Sequence, residues 1–166
     1  ENINPAINIV TALDVARSAV RFGAKEVHIV CLESLTEMPA EHSEILEAQN
    51  EGIVIHAGKG PSRILGEGGR VTGLETIDCA SVFDAQHRFN PTFLPGTELA
   101  LAADTVILAI GQACDLSYLR PEDGVEATAR GTIRIDPETL GTTAPGIYAG
   151  GDTAFGPRLA INAIAD

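Results

Sequence analysis

The chain has 166 residues, 45% of them hydrophobic and 20% charged, with a formal net charge of −12. That length and balance suit one ordinary domain with a packed core, and they exclude a disordered chain. The acidity excludes the basic footprint that nucleic acid requires. No apolar run reaches spanning length and no charged leader precedes one, so membrane insertion and secretion are not expected and a cytoplasmic location is.

Three cysteines, Cys31, Cys79 and Cys114, lie far apart with no Cys-x-x-Cys among them. That spacing offers no dithiol redox centre and no four-ligand zinc or iron–sulfur site, and reduced, mostly buried thiols are expected. The four histidines have no ligand-spaced neighbours, so no metal site is expected.

In chain order, the apolar residues Ala12, Val15, Ala16, Ala19 and Val20 recur at helical steps and predict a helix over 11–23, stopped by Gly23. Residues 26–31 then form a short apolar run of the buried parallel-strand type. A helix followed by such a strand is the second half of a βαβ unit. Glu33 stands just past that strand, where an acid can accept both hydroxyls of an adenosine ribose; on charge this favours NADH over NADPH. The alternative is a solvated loop acid. Residues 40–51 predict an acidic helix with Ile45, Leu46, Ala48 and Gln49 inward and Gly52 as its stop.

A strand is expected at 53–56, a turn at Gly58-Lys59-Gly60-Pro61, and an antiparallel excursion at 62–65 and 70–77 joined by Gly66-Glu67-Gly68-Gly69. The Gly58 to Ser62 stretch lacks Walker spacing and is not a phosphate loop. Residues 80–98 are polar and turn-rich and predict a surface excursion. Residues 104–110 predict a buried strand, with Gly111 and Gln112 at its carboxyl end, where α/β sheets bind ligands.

Near the end, an apolar strand over 146–149 is expected to run into Gly150-Gly151-Asp152, with a helix starting at Pro157 and Arg158 beside it. Two glycines and one carboxylate after a strand suit the holding of a ribose or ribityl hydroxyl on Asp152. A plain turn cap is the competing use of such an acid.

As an ordered set, these segments resemble the glutamate synthase small (beta) subunit-like branch of the pyridine nucleotide–disulfide oxidoreductase superfamily. The set comprises Thr11-Ala12-Leu13-Asp14-Val15-Ala16-Arg17, Met38-Pro39-Ala40, Arg88-Phe89-Asn90-Pro91, Ala109-Ile110-Gly111-Gln112 and Gly146 to Asp152. The resemblance implies an α/β fold: a Rossmann-like NAD(P)H-binding domain at 1–118 with an antiparallel β excursion, followed at 119–166 by the C-terminal closing segment of an FAD-binding domain. It implies that Thr11 and Asp14 belong to the nicotinamide nucleotide turn, that Gly111 and Gln112 close over a dinucleotide, and that Gly151, Asp152, Pro157 and Arg158 belong to the flavin side, with Asp152 on the ribityl chain. No side chain is required as acid, base or nucleophile.

The chain departs from the family at 7–10, where Ile7, Asn8, Ile9 and Val10 replace a glycine-rich turn. Such side chains block close approach to a pyrophosphate. Either residues 1–10 are a replaced start, which the abrupt match at Thr11 favours, or the turn is rebuilt. The resemblance implies a piece of a flavoprotein that passes hydride from NAD(P)H to FAD, and on to iron–sulfur centres or an electron-accepting partner subunit. The isolated piece is then expected to be inactive, and whether it binds either cofactor is left open. The missing cysteine pair argues against the thioredoxin reductase branch, and homo-oligomerisation is left open. The alternative reading is a catalytically silent nucleotide-binding or docking module.

Overall fold

A computed structural model describes residues 5–158 and 160–166. The chain divides into two compact units, one of Asn8–Ile110 and one of Gly111–Asp166 grouped with residues up to Ile7.

The first unit opens on α1 (Pro5–Arg21), which runs into β1 (His28–Val30), α2 (His42–Asn50) and β2 (Val54–His56). β1 and β2 pair in parallel with Ile29 opposite Ile55. One stripe of α1, Ile9, Leu13 and Ala16, packs with Ile29, Cys31, Met38, Ile45, Ala48 and Ile53 into the core of this unit. The steps of four and three along α1 are those of a single helix face. Arg17 binds Glu47 at 2.9 Å and Glu51 at 2.8 Å, and Arg21 reaches Glu51 at 3.0 Å, so the core is roofed by ion pairs joining α1 to α2. Those hydrogen bonds from Arg17 hold the Glu51 carboxyl below its usual range.

The rest of the unit is a four-stranded antiparallel sheet of β3 (Lys59–Glu67), β4 (Arg70–Phe83), β5 (Phe89–Phe93) and β6 (Leu99–Ala102). β4 is long enough to serve three partners. Its first half lies between β3 and β6, with Thr76 opposite both Pro61 and Leu99, while its second half pairs with β5. Thr76 is fully buried, and its hydroxyl donates to the Leu99 carbonyl at 3.2 Å. Gly68 and Gly69, with φ of 57° and 78°, turn β3 into β4. Two consecutive left-handed residues match the strand twist, which is why glycines occupy both places.

In the second unit pairing is reduced to single bridges: Ala127 with Ile133, Ile135 with Thr142, and Gly141 with Tyr148. Asp136 Oδ1 accepts the N–H groups of Glu138 and Thr139 at 2.9 and 3.0 Å, and these bonds hold its carboxyl below the usual range. The short helices α3 (Asp152–Phe155) and α4 (Ala160–Ala165) close the chain. Among the described residues, no helix is long and apolar enough to cross a membrane, and no cluster of three or more His, Cys, Asp or Glu side chains could hold a metal ion.

Several expectations from the sequence need correction. The helix expected at 11–23 starts at Pro5, so residues 7–10 continue α1 instead of turning before it. Proline suits a helix start, and Ile9 is drawn into the core. Leu46 and Gln49 lie on the outer face of α2, with only Ile45 and Ala48 buried. The turn after β2 falls at Ala57-Gly58, and Lys59, Gly60 and Pro61 already belong to β3. The surface excursion expected at 80–98 contains a hairpin, with β4 running on to Phe83 and β5 spanning Phe89–Phe93. Residues 104–110 form no strand, and Ile107, Leu108 and Ile110 are 60%, 66% and 66% exposed. An apolar run becomes a strand only when another edge pairs with it. The strand expected at 146–149 is a single bridge at Tyr148, and no helix starts at Pro157.

Candidate functional site

The sequence-predicted residues fall into two groups, one in each unit. In the second unit, Gly151 has φ 61° and ψ −152°, a backbone region open in practice only to glycine. It is buried, and a Cβ there would meet the Ala163 Cβ at 3.2 Å. Its carbonyl accepts the N–H groups of Ala154 and Phe155, which starts α3 and sets Asp152 at the first position of that turn.

Asp152 is exposed. Its Oδ1 accepts the Arg158 backbone N–H at 3.1 Å, while its Oδ2 has no hydrogen bond among the described residues. Its carbonyl accepts from the Gly156 N–H at 2.9 Å and from the Cys114 thiol at 3.3 Å. Asp152 is therefore held by its backbone and one carboxylate oxygen, leaving the other oxygen as a free acceptor.

Arg158 is fixed from two sides. Its guanidinium lies 4.0 Å from the centroid of the Phe155 ring and pairs with Asp166 Oδ2, which also accepts the Gly151 N–H at 2.8 Å. The Arg158 Nε is buried and has no hydrogen-bond partner among the described residues. Pro157 is exposed and sits in the loop between α3 and α4. Gly111 (φ 90°) and Gln112 are exposed, and the Cys114 bond ties their segment to the Asp152 loop. Gly111, Gln112, Gly151, Asp152, Pro157 and Arg158 thus belong to one unit. Cys114, Phe155 and Asp166 complete the arrangement without having been anticipated. The one signal in the sequence was the position of Cys114 two residues after Gln112.

In the first unit, Thr11 and Asp14 are exposed and one turn apart on α1, beyond its first turn. The amides at the helix start therefore belong to residues other than the predicted ones. Glu33 follows β1 at its carboxyl end, half-buried, with its carbonyl accepting the Gly58 N–H at 2.8 Å. Its carboxylate makes no hydrogen bond or ion pair among the described residues. Burial, and then the Glu33 charge, push the Cys31 thiol up to about 12, and Cys79 is raised chiefly by burial. Neither shift favours the thiolate. The residues present fit the two ligands unequally. An exposed carboxylate with a free oxygen suits a diol at Asp152, whereas 7–10, helical and without glycine, offer no cradle for a pyrophosphate.

Residues 10–166 match the family described as "Pyridine nucleotide-disulphide oxidoreductase", and the chain belongs to that family. Among relatives, it is 43% identical to the NADP(+)-dependent formate dehydrogenase subunit beta of Moorella thermoacetica, over 93% of this chain and 22% of that one. It is 32% identical to the glutamate synthase [NADPH] small chain of Azospirillum brasilense, over 94% of this chain and 33% of the relative. The chain thus spans about a fifth to a third of these relatives. A crystal structure of T. acidophilum thioredoxin reductase superposes with a TM-score of 0.69 at 24% identity, over 91% of this chain and 43% of that one. That likeness is one of fold, mixed α/β of the Rossmann type.

Proposed function

We propose that the chain is part of a flavoprotein oxidoreductase in which NAD(P)H gives hydride to FAD, with electrons passing on to iron–sulfur centres or a partner subunit. In this reading residues 1–118 belong to the nicotinamide side and 119–166 close the flavin side. FAD, when bound, supplies the hydride acceptor and the one- or two-electron release. The residues of this chain bind and orient. Asp152 would accept hydroxyl hydrogen bonds through Oδ2 while Arg158 and Gly151 keep its loop rigid, and Gln112 would close over the dinucleotide near the flavin. The observation that carries the reading is the Gly151–Asp152 loop, a glycine-only backbone that leaves an exposed carboxylate oxygen free. The names of the two relatives support the redox partners, one being a formate dehydrogenase subunit and the other a glutamate synthase chain.

The test is Asp152→Ala in the full-length parent. Flavin affinity should fall about tenfold or more, the loss of one charge-assisted hydrogen bond, with the circular dichroism spectrum unchanged. Undiminished flavin content in a folded variant overturns the role.

Nucleotide choice rests on less. Glu33 favours NADH, whereas both relatives carry NADP in their names. Glu33→Arg should shift the ratio of kcat/KM toward NADPH, and an unmoved ratio removes Glu33 from the site. A silent docking module is the second reading, favoured by the helical, glycine-free residues 7–10. Visible absorption of this chain with added FAD and NADH separates the two in one respect: a yellow protein bleached by NADH excludes the silent module.

A further inference from the structure

We infer that the open edge of β6 docks a strand of a second polypeptide, an apolar run with a lysine or arginine at each end, which adds antiparallel to the four-stranded sheet. β3, β5 and β6 are the outer strands of that sheet, each bonded to β4 alone among the described residues. Two of them carry features that keep an edge from pairing. β3 holds Pro61 and β5 holds Pro91, and both shift register against β4. β6, Leu-Ala-Leu-Ala, has no proline and no charge, and its register runs unbroken from Leu99 to Ala102.

The free backbone groups of this edge belong to Ala100 and Ala102. The Ala103 N–H donates to the Thr72 carbonyl at 3.2 Å, and the Leu99 carbonyl accepts from the Thr76 hydroxyl at 3.2 Å. Leu99 and Ala103 therefore turn their backbone groups toward β4, as does Leu101 between them. Backbone groups alternate between the two edges of a strand, so the N–H and C=O of Ala100 and Ala102 point away from the sheet. Both alanines are exposed, and no strand pairs with them on that side among the described residues. Their small side chains leave room for another backbone and for larger side chains opposite.

Charge chooses the occupant. Glu98 and Asp104 are exposed at the two ends of β6, and neither carboxylate has a hydrogen bond or ion pair among the described residues. In extended chain they stand about 20 Å apart. A second copy of β6 would set acid against acid at both ends, whether parallel or antiparallel. No two of the 11 Lys and Arg residues are six positions apart, so no other strand of a second copy answers both acids. A strand with basic residues at its ends pairs both carboxylates while its backbone satisfies Ala100 and Ala102. The net charge of −12 favours such a partner over a further copy. The inference rests on the proposed function only in placing that strand on a partner subunit.

The probe is the peptide acetyl-Lys-Thr-Val-Thr-Val-Thr-Lys-amide, added to the full-length parent, with residue-resolved amide hydrogen exchange as the readout. Without peptide, Ala100 and Ala102 should exchange about tenfold or more faster than Leu99 and Leu101, and saturating peptide should remove that difference. The same peptide with Glu in place of both lysines should have no effect, nor should the peptide N-methylated at both valines. Combining Glu98→Lys with Asp104→Lys should reverse the preference, so that the Glu-ended peptide protects and the Lys-ended one does not. No protection by the Lys-ended peptide, equal protection by either control, or an unreversed preference overturns the inference. So does slow exchange of Ala100 and Ala102 before peptide is added, because the parent or a second copy would then be the cover. None of these readings depends on flavin or nucleotide, so failure here is distinguishable from failure of the proposed function.

Discussion

The antiparallel sheet and the parallel pair of the first unit contrast sharply in completeness. β4 is flanked along its first half by β3 and β6 and along its second by β5, with Thr76 fully buried at the centre. β1 has one partner, and the apolar run 104–110 has none among the described residues. Antiparallel strands find their partners through hairpins a few residues away, so a short stretch of chain carries everything the sheet needs. Parallel strands are joined by long crossovers, so their partners come from distant sequence. A stretch of 166 residues can thus complete one kind of sheet and leave the other open.

Amide exchange gives the broadest test of that contrast. Amides of Leu74 to Thr76 should exchange on the order of a thousandfold more slowly than those of 105–110, the difference between global and local opening. Equal protection in the two places would mean that 105–110 is paired in solution and that the contrast is false.

Leu13→Ala sharpens it from the parallel side. Leu13 is 3% exposed in the core beneath β1 and β2, and its truncation should cost about 3 kcal/mol by urea denaturation. A loss below about 1 kcal/mol would mean that this core is already loosely packed.

Gly73→Ala probes the antiparallel side. A Cβ at Gly73 would stand 2.5 Å from the Leu101 carbonyl oxygen, so β4 and β6 must move apart. The expected cost is about 2 kcal/mol, with faster exchange confined to β6 and its β4 partners. An unchanged Tm would show that β6 contributes little to the sheet.

The smallest effect concerns pH. His28 and His56 stack with centroids 5.1 Å apart, and His28 Nδ1 lies 2.9 Å from His56 Nε2. His28 Nε2 lies 3.0 Å from Glu26 Oε1. A neutral pair in which His56 donates to His28 and His28 donates to Glu26 satisfies all three groups. Burial, then the charges of His28 and Lys59, hold the His56 pKa below its ordinary value of 6.5. Between that lowered value and 6.5 the unfolded chain binds the extra proton. The stabilisation is therefore complete above about pH 6.5 and is lost as the pH falls through this window. The Tm of wild type should drop on going from pH 7.5 to 5.5, and His56→Gln should shrink the drop. An identical drop in both would assign it to other groups.

Much of the fold was legible in the sequence, for local reasons. Gly68-Gly69 dictates its hairpin by backbone conformation, and helical spacing marks both helices, although packing chooses Ile9, Leu13 and Ala16 over Val15 and Ala19 in α1 and only Ile45 and Ala48 in α2. The ordered set from Thr11 to Asp152 carried the family, and the match over 10–166 bears it out. The tertiary structure decided what depends on partners. Thr105 to Ile110 reads as a strand by composition, but strand formation is a property of two edges, and this run lacks the second among the described residues. Residues 7–10 read as part of a replaced start or as a rebuilt turn, but Ile9 gains burial by prolonging α1. The free oxygen of Asp152 was equally beyond the sequence, because it depends on Arg158, Cys114 and Asp166 arriving from 6, 38 and 14 residues away. Spacing along a chain fixes periodicity and turn chemistry; which edges and side chains meet is fixed only when distant segments pack.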